Sequence, residues 1–227
     1  MRDTDRAAVR ALRLFTDMTE SSFDAVVRGS FLQSFPPGVE LLRQSDTADF
    51  LHVLLGGSVE LLAATAGRET TIAVVRPVAS FILAAVLRDR PYLMSARTLA
   101  RARVLMIPGQ NVRAVFATDP AFAAAVVDEL AVAFRFMVRE LKNHKLRTGA
   151  ERLANWLLLA MDPAGVVQLE FEKRVLAARL GMTPENLSRA LATLGPYGVT
   201  VSGRAVAVTR PDELRRFARP DPLIDQV

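Results

Sequence analysis

Residues 173–192, KRVLAARLGMTPENLSRALA, decide the fold. Two short helical patterns meet here at a glycine. Ala177 is small where the helices would cross, and Gly181, four residues on, stands where the chain must leave the first helix in a left-handed conformation that costs glycine little. Leu176, Leu180, Met182, Leu187 and Leu191 supply the apolar positions that lock such a pair. Thr183 can cap the second helix through its hydroxyl, and Pro184 takes the first helical position, where a missing N–H is harmless. The second helix, predicted over 184–194, therefore begins sharply. Glu185, Ser188 and Arg189 stand at i, i+3 and i+4 on one face. In a helix-turn-helix the first residues of the second helix reach base edges in the major groove. A glutamate there accepts from cytosine, an arginine grips guanine O6 and N7, and a serine serves base or phosphate. Each alone has a plainer reading, the acid complementing the helix dipole and the arginine pairing with it. The spacing of all three predicts a base-reading face.

Outward from this stretch, the pattern predicts a helix over 148–161, stopped by Asp162-Pro163-Ala164-Gly165, and a strand over 166–171. A helix over 172–180 precedes the reading helix. After it come a hairpin, 199–201 and 205–208 about Ser202-Gly203-Arg204, and a closing helix over 211–218. Helix, helix, glycine turn, helix and hairpin predict a winged helix-turn-helix over 148–227. Lys173, Arg174, Thr183 and Arg204, with Arg179 and Arg210, are candidate phosphate contacts; an ordinary solvated surface is the competing reading.

Upstream, helical spacing runs unbroken from Pro120 to about Arg147. Ala123, Val127, Leu130, Phe134, Met137, Leu141 and His144 recur at alternating four and three residues, the seam of a two-stranded coiled coil. Phe122, Val126, Ala133 and Phe136 form a second stripe, expected against the protein's own sheet domain. Residues 119–147 thus read as a dimerisation helix, with a core helix as the alternative. Arg139, Lys142, Lys145 and Arg147 read as a wet face, and Arg147-Thr148-Gly149 as a hinge. Before this helix, from Phe31 to Met106, short apolar runs alternate with turn signals, which predicts many short strands. Leu51, Val53 and Leu55 and then Val59, Leu61 and Ala63 alternate about Gly56-Gly57, predicting a hairpin of a rolled antiparallel sheet. Helices are expected over 6–14 and 21–28, within a sensor domain over 1–118.

The 227 residues are 51% hydrophobic and 23% charged, ample for a packed core and unlike a disordered chain. No apolar stretch approaches the ~18 residues of a spanning helix, and the first residues lack a secretory apolar run. A soluble, cytoplasmic protein without a membrane partner is expected. The absence of cysteine removes thiolate nucleophiles, disulfides, cysteine zinc sites and cysteine-held iron–sulfur clusters. His52 and His144 cannot by themselves build a three-histidine metal site or a hydrolytic triad. A formal charge of +5 permits a polyanionic partner. Composition leans against an enzyme.

At this point the sequence resembles the Crp/Fnr superfamily of bacterial transcription regulators over nearly its whole length. Phe35-Pro36, then Gln44-Ser45-Asp46, then Val53-Leu54-Leu55-Gly56-Gly57-Ser58-Val59 resemble the family's opening strands and first hairpin, with Ser45 where glycine is usual. Thr183-Pro184-Glu185-Asn186-Leu187-Ser188-Arg189 resembles the E-x-x-S-R signature of the Fnr branch. The resemblance implies an α+β fold: an N-terminal β-roll of the cyclic-nucleotide-binding type (a double-stranded β-helix), the dimerisation helix, and the C-terminal winged helix-turn-helix. It further implies a homodimer on double-stranded DNA, a TTGAT-like palindrome, activation more often than repression, and contact with RNA polymerase. The alternative is a haem-based or other small-molecule signalling protein whose C-terminal module is only an interaction surface.

The effector segment departs from the family. Cyclic-nucleotide binders carry a glutamate for the ribose and an Arg-Ser pair for the phosphate. Residues 81–96 here read FILAAVLRDRPYLMSA, with Leu83 near the glutamate position and Leu93-Met94 near the Arg-Ser pair. Leucine and methionine cannot neutralise a cyclic phosphate, so cAMP binding is not expected. Phe81, Leu83, Leu87, Leu93 and Met94 could instead line an apolar effector pocket, for haem among other ligands, with His52 or His144 as iron ligand. Core packing and no cofactor form the competing reading.

Overall fold

The computed structural model describes residues 3–225, which divide into two compact units, one ending at Ala133 and the other beginning at Phe134. The first opens with α1 (Asp3–Arg10) and α2 (Glu20–Val27). Strands β1 (Phe31–Phe35), β2 (Glu40–Leu42), β3 (Phe50–Gly56), β4 (Val59–Thr65), β5 (Arg68–Val75) and β6 (Ala79–Phe81) follow. Then come α3 (Leu83–Arg88), β7 (Ser95–Thr98), β8 (Ala102–Pro108), α4 (Gly109–Thr118) and the start of α5 (Pro120–Leu146). Two antiparallel sheets result, ordered β1-β8-β3-β6 and β2-β7-β4-β5. The α+β architecture expected from the sequence is present.

The hairpin expected at Gly56-Gly57 is not. β3 pairs with β6 and β8 while β4 pairs with β5 and β7, so the link at Gly57-Ser58 carries the chain from one sheet to the other. Gly57 has φ 84°, and a Cβ there would collide with the Arg101 carbonyl, so only glycine makes this crossing. Both edges of β3 find other partners, and Leu51, His52, Val53 and Leu54 are buried in succession rather than alternately. The true hairpin is β4–β5, turned by Ala66 and Gly67, both at positive φ.

Phe15 packs edge-on to Phe23 at 5.8 Å and stacks on Phe122 at 6.0 Å, fixing the first turns of α5 to the core. Asp119 starts that helix, its Oδ1 accepting from the Phe122 N–H at 2.9 Å. The inward stripe is shorter than expected. Phe122 and Val126 are buried and Leu130 packs against the core, but Ala133 and Phe136 are exposed. Val127, Phe134, Met137 and Leu141 of the other stripe are exposed as well, Phe134 by 70%.

In the second unit α5 ends and α6 (Gly149–Ala160) begins under a capping box: the Thr148 hydroxyl accepts from the Glu151 N–H at 3.3 Å, and Glu151 Oε2 accepts from the Thr148 N–H at 2.7 Å. β9 (Val166–Gln168), α7 (Lys173–Arg179), α8 (Pro184–Leu194), β10 (Val199–Ser202), β11 (Ala205–Val208), α9 (Pro211–Ala218) and α10 (Pro222–Asp225) complete it, with sheet order β10-β11-β9. This is the winged helix-turn-helix predicted. β9 stops short of Phe171, although the Leu169 N–H still reaches the Arg204 carbonyl at 2.8 Å. α10 was not foreseen. Among the described residues no helix is long and apolar enough to cross a membrane.

Candidate nucleic-acid interface

α7 buries Val175, Leu176 and Ala177, and its exit turns on Gly181 at φ 63°, with the Met182 N–H bonded back to the Ala177 carbonyl at 2.9 Å. Thr183 then caps α8, its hydroxyl accepting from the Asn186 N–H at 3.2 Å. Leu187, Ala190 and Leu194 anchor one face of α8 in the core. Glu185, Ser188 and Arg189 are exposed on the helix's first turns. Hydrogen bonds from its own backbone N–H and from Thr183, with the charge of Arg189, hold the Glu185 carboxyl below the usual carboxylate range despite slight desolvation. It is an anionic acceptor, as a cytosine amino group requires. The Ser188 hydroxyl donates to the Pro184 carbonyl at 3.1 Å, and the Arg189 guanidinium donates to Asn186 Oδ1. Asn186 was missed from sequence; its place one turn before Arg189 was the available signal.

The phosphate candidates are dispersed over this module. Lys173 and Arg174 are exposed at the start of α7, with Arg174 Nε 3.8 Å from Glu172. Thr183 is exposed at the start of α8, its hydroxyl oxygen serving as the cap acceptor. Arg204 is exposed on the wing, its Nε donating to the Leu169 carbonyl at 3.0 Å. Arg210 is tied to Glu213 and the Pro196 carbonyl. Arg152, unnoticed in the sequence, is buried: Nε donates to the Leu180 carbonyl at 2.8 Å and NH1 to the Arg147 carbonyl at 2.7 Å, satisfying carbonyls at two helix ends. His144, expected in the dimer seam, lies against Gly181 of its own chain, so closely that a Cβ at 181 would collide with its Cε1.

Of the five residues expected to line an effector pocket, four lie in or on the core and one faces solvent. Phe81 and Leu83 are buried in the core, and Leu87 and Met94 pack on it. Leu93 is 80% exposed because Tyr92 takes the inward position, donating its hydroxyl hydrogen to the Phe50 carbonyl at 3.1 Å. A cavity of about 500 Å³ in this unit lies elsewhere, among Leu12, Leu14, Val78, Ser80 and Glu129. Near this segment Arg97 donates to Glu60 at 2.9 Å and to Glu69 at 2.8 Å, and the Ser95 hydroxyl accepts from the Gln44 N–H at 2.9 Å. The histidines present do not fit haem. His52 is 4% exposed beneath Phe81, ring centroids 5.4 Å apart, and the other imidazole lies on Gly181. Burial pushes the His52 pKa down to about 4, against a weaker upward pull from the Phe50 backbone. Among the described residues no three His, Cys, Asp or Glu are grouped as metal ligands.

Comparison with known proteins agrees with this layout. Residues 32–119 match the cyclic nucleotide-binding domain family and residues 151–217 the Crp-like helix-turn-helix domain. A regulatory protein of Silicibacter pomeroyi DSS-3, provisionally named as cAMP-binding, is 30% identical; the alignment covers 96% of this chain and 100% of that one, with a TM-score of 0.63. The chain belongs to the Crp/Fnr superfamily of transcription regulators. FixK2 of Bradyrhizobium japonicum shares the fold, aligning with 82% of this chain and 96% of its own at TM-score 0.71 and 21% identity. The HTH-type transcriptional regulator Cmr of Mycobacterium tuberculosis is 24% identical over 160 residues, 70% of this chain; the match spans 64% of that relative's length.

Proposed function

We propose that this Crp/Fnr protein is a homodimeric, sequence-specific DNA-binding regulator that reads a TTGAT-like palindrome, acts as an activator through RNA polymerase, and does not respond to cAMP. Binding rather than catalysis is its work. The observation that carries the reading is the exposed trio Glu185, Ser188 and Arg189 on a helix whose opposite face is locked into the core. Glu185 would accept from cytosine, Arg189 would leave Asn186 for guanine O6 and N7, and Ser188 would serve base or phosphate. Lys173, Arg174, Thr183 and Arg204 would position the module on the backbone. Dimerisation is supported by the uncovered Val127, Phe134, Met137 and Leu141 at heptad spacing on α5.

A gel shift tests this. A TTGAT-N4-ATCAA duplex should be retained over a scrambled one, and Glu185→Ala or Arg189→Ala should each weaken that preference roughly 5- to 150-fold, the worth of one good base contact. Lys173→Ala should weaken both duplexes alike and lower the salt slope by about 1. Equal retention of both duplexes by the wild type would leave only the electrostatic term and overturn the reading.

A further inference from the structure

The sequence predicts a hinge at Arg147-Thr148-Gly149, between α5 and α6, yet the side chains around it are tied. Arg147 donates to Asp225 through both terminal nitrogens, NH1 to Oδ1 and NH2 to Oδ2, each at 2.6 Å. The two side chains are only 7% and 13% exposed, unlike the surface pair Arg43–Glu40. Asp225 Oδ2 also accepts from the Asp221 N–H at 2.7 Å, and Arg147 NH1 reaches Asn143 Oδ1 at 3.2 Å. The Arg147 carbonyl in turn accepts from Arg152, whose guanidinium holds the Leu180 carbonyl just before the helix-turn-helix glycine. One unbroken path therefore runs from α10 through the end of α5 to the turn that starts α8. A planar fork on a carboxylate fixes direction as well as distance.

We propose that the Arg147–Asp225 pair is a positioning element: it locks the last turn of α5 to the DNA-reading module and thereby sets which half-site spacing the dimer accepts. The proposal rests on the DNA-reading function above. Two recognition helices must fall about one duplex turn, ~34 Å, apart, so a loosened joint should lose discrimination of spacing before it loses affinity for a half-site. Asp225 and Arg147 are positioning residues here, with no contact to bases assigned to them.

The test uses the full chain with Asp225→Asn, which keeps shape and removes charge, and Arg147→Lys, which keeps charge and removes the fork. Amide hydrogen exchange at residues 146–150 needs no DNA. It should quicken at least 10-fold in both variants while the core strands β3 and β8 keep wild-type protection. Gel shifts with TTGAT-N3, N4 and N5 spacers should show the wild type preferring one spacer at least 10-fold, and the variants less than about 3-fold, with scrambled-duplex binding unchanged. Unchanged exchange, or quickened exchange with the full spacer preference retained, would overturn the proposal. If Asp225→Asn fails to fold, Arg147→Lys decides by the same two readouts. If the wild type shows no sequence preference at all, the proposed function fails, and exchange alone still decides whether the joint is locked.

Discussion

His52 shows how far one side chain departs from what its neighbours in sequence suggest. Its Nδ1 is buried with no hydrogen-bond partner among the described residues, and its pKa is pushed down to about 4 by burial. The unfolded chain, at about 6.5, binds the proton first. The contribution is thus fully present above pH 6.5 and is lost as pH falls toward 4, by about 3 kcal/mol at the lower end. Urea denaturation between pH 7 and 4 should show this slope, and His52→Phe should flatten it; an identical slope in the variant would exonerate the imidazole. At Gly181 two constraints coincide, a left-handed backbone and the ring of His144. Gly181→Ala should lower stability by about 2 kcal/mol or more, read as a fall in Tm. The left-handed need was legible from the glycine's place in the motif. The imidazole was not, since nothing near residue 181 in sequence announces residue 144.

Elements bounded by their own punctuation were the legible ones. α8 starts at Pro184 under Thr183 and ends before Gly195, and α9 starts at Pro211, as the residues themselves dictate. Strand pairing was not legible where it depends on distant partners: alternation about Gly56-Gly57 looked like a hairpin, yet β3 found β8, about fifty residues on. The exposed trio Glu185, Ser188 and Arg189 was readable because helical spacing alone gathers it on one face. The inward turn of Tyr92 in place of Leu93 was not, because spacing alone does not decide which of two adjacent apolar residues faces inward. At this scale α5 makes a prediction. On the proposed dimer seam of exposed Phe134, Met137 and Leu141, Phe134→Glu should give a monomer by light scattering, with operator affinity reduced at least 10-fold. A monomeric wild type would end the seam reading.

For the molecule as a whole, the order of its parts was legible, while the ties among them were not. Arg147 and Asp225 lie 78 residues apart, and Asn155 reaches from α6 to the Ala218 carbonyl at 2.8 Å. Such links close the second unit without leaving a sequence signature. The capping box at Thr148 has a bearing on how any signal could pass along the chain. Merging α5 and α6 into one continuous rod would require Thr148 to turn helical and forfeit both reciprocal bonds with Glu151, at a cost of about 1–2 kcal/mol. Coil-to-helix extension through residue 148 is therefore the expensive route. Any signal crossing this joint would instead carry the last turn of α5 and the start of α6 as one body, since the Arg147–Asp225 fork and the Thr148 cap both hold there.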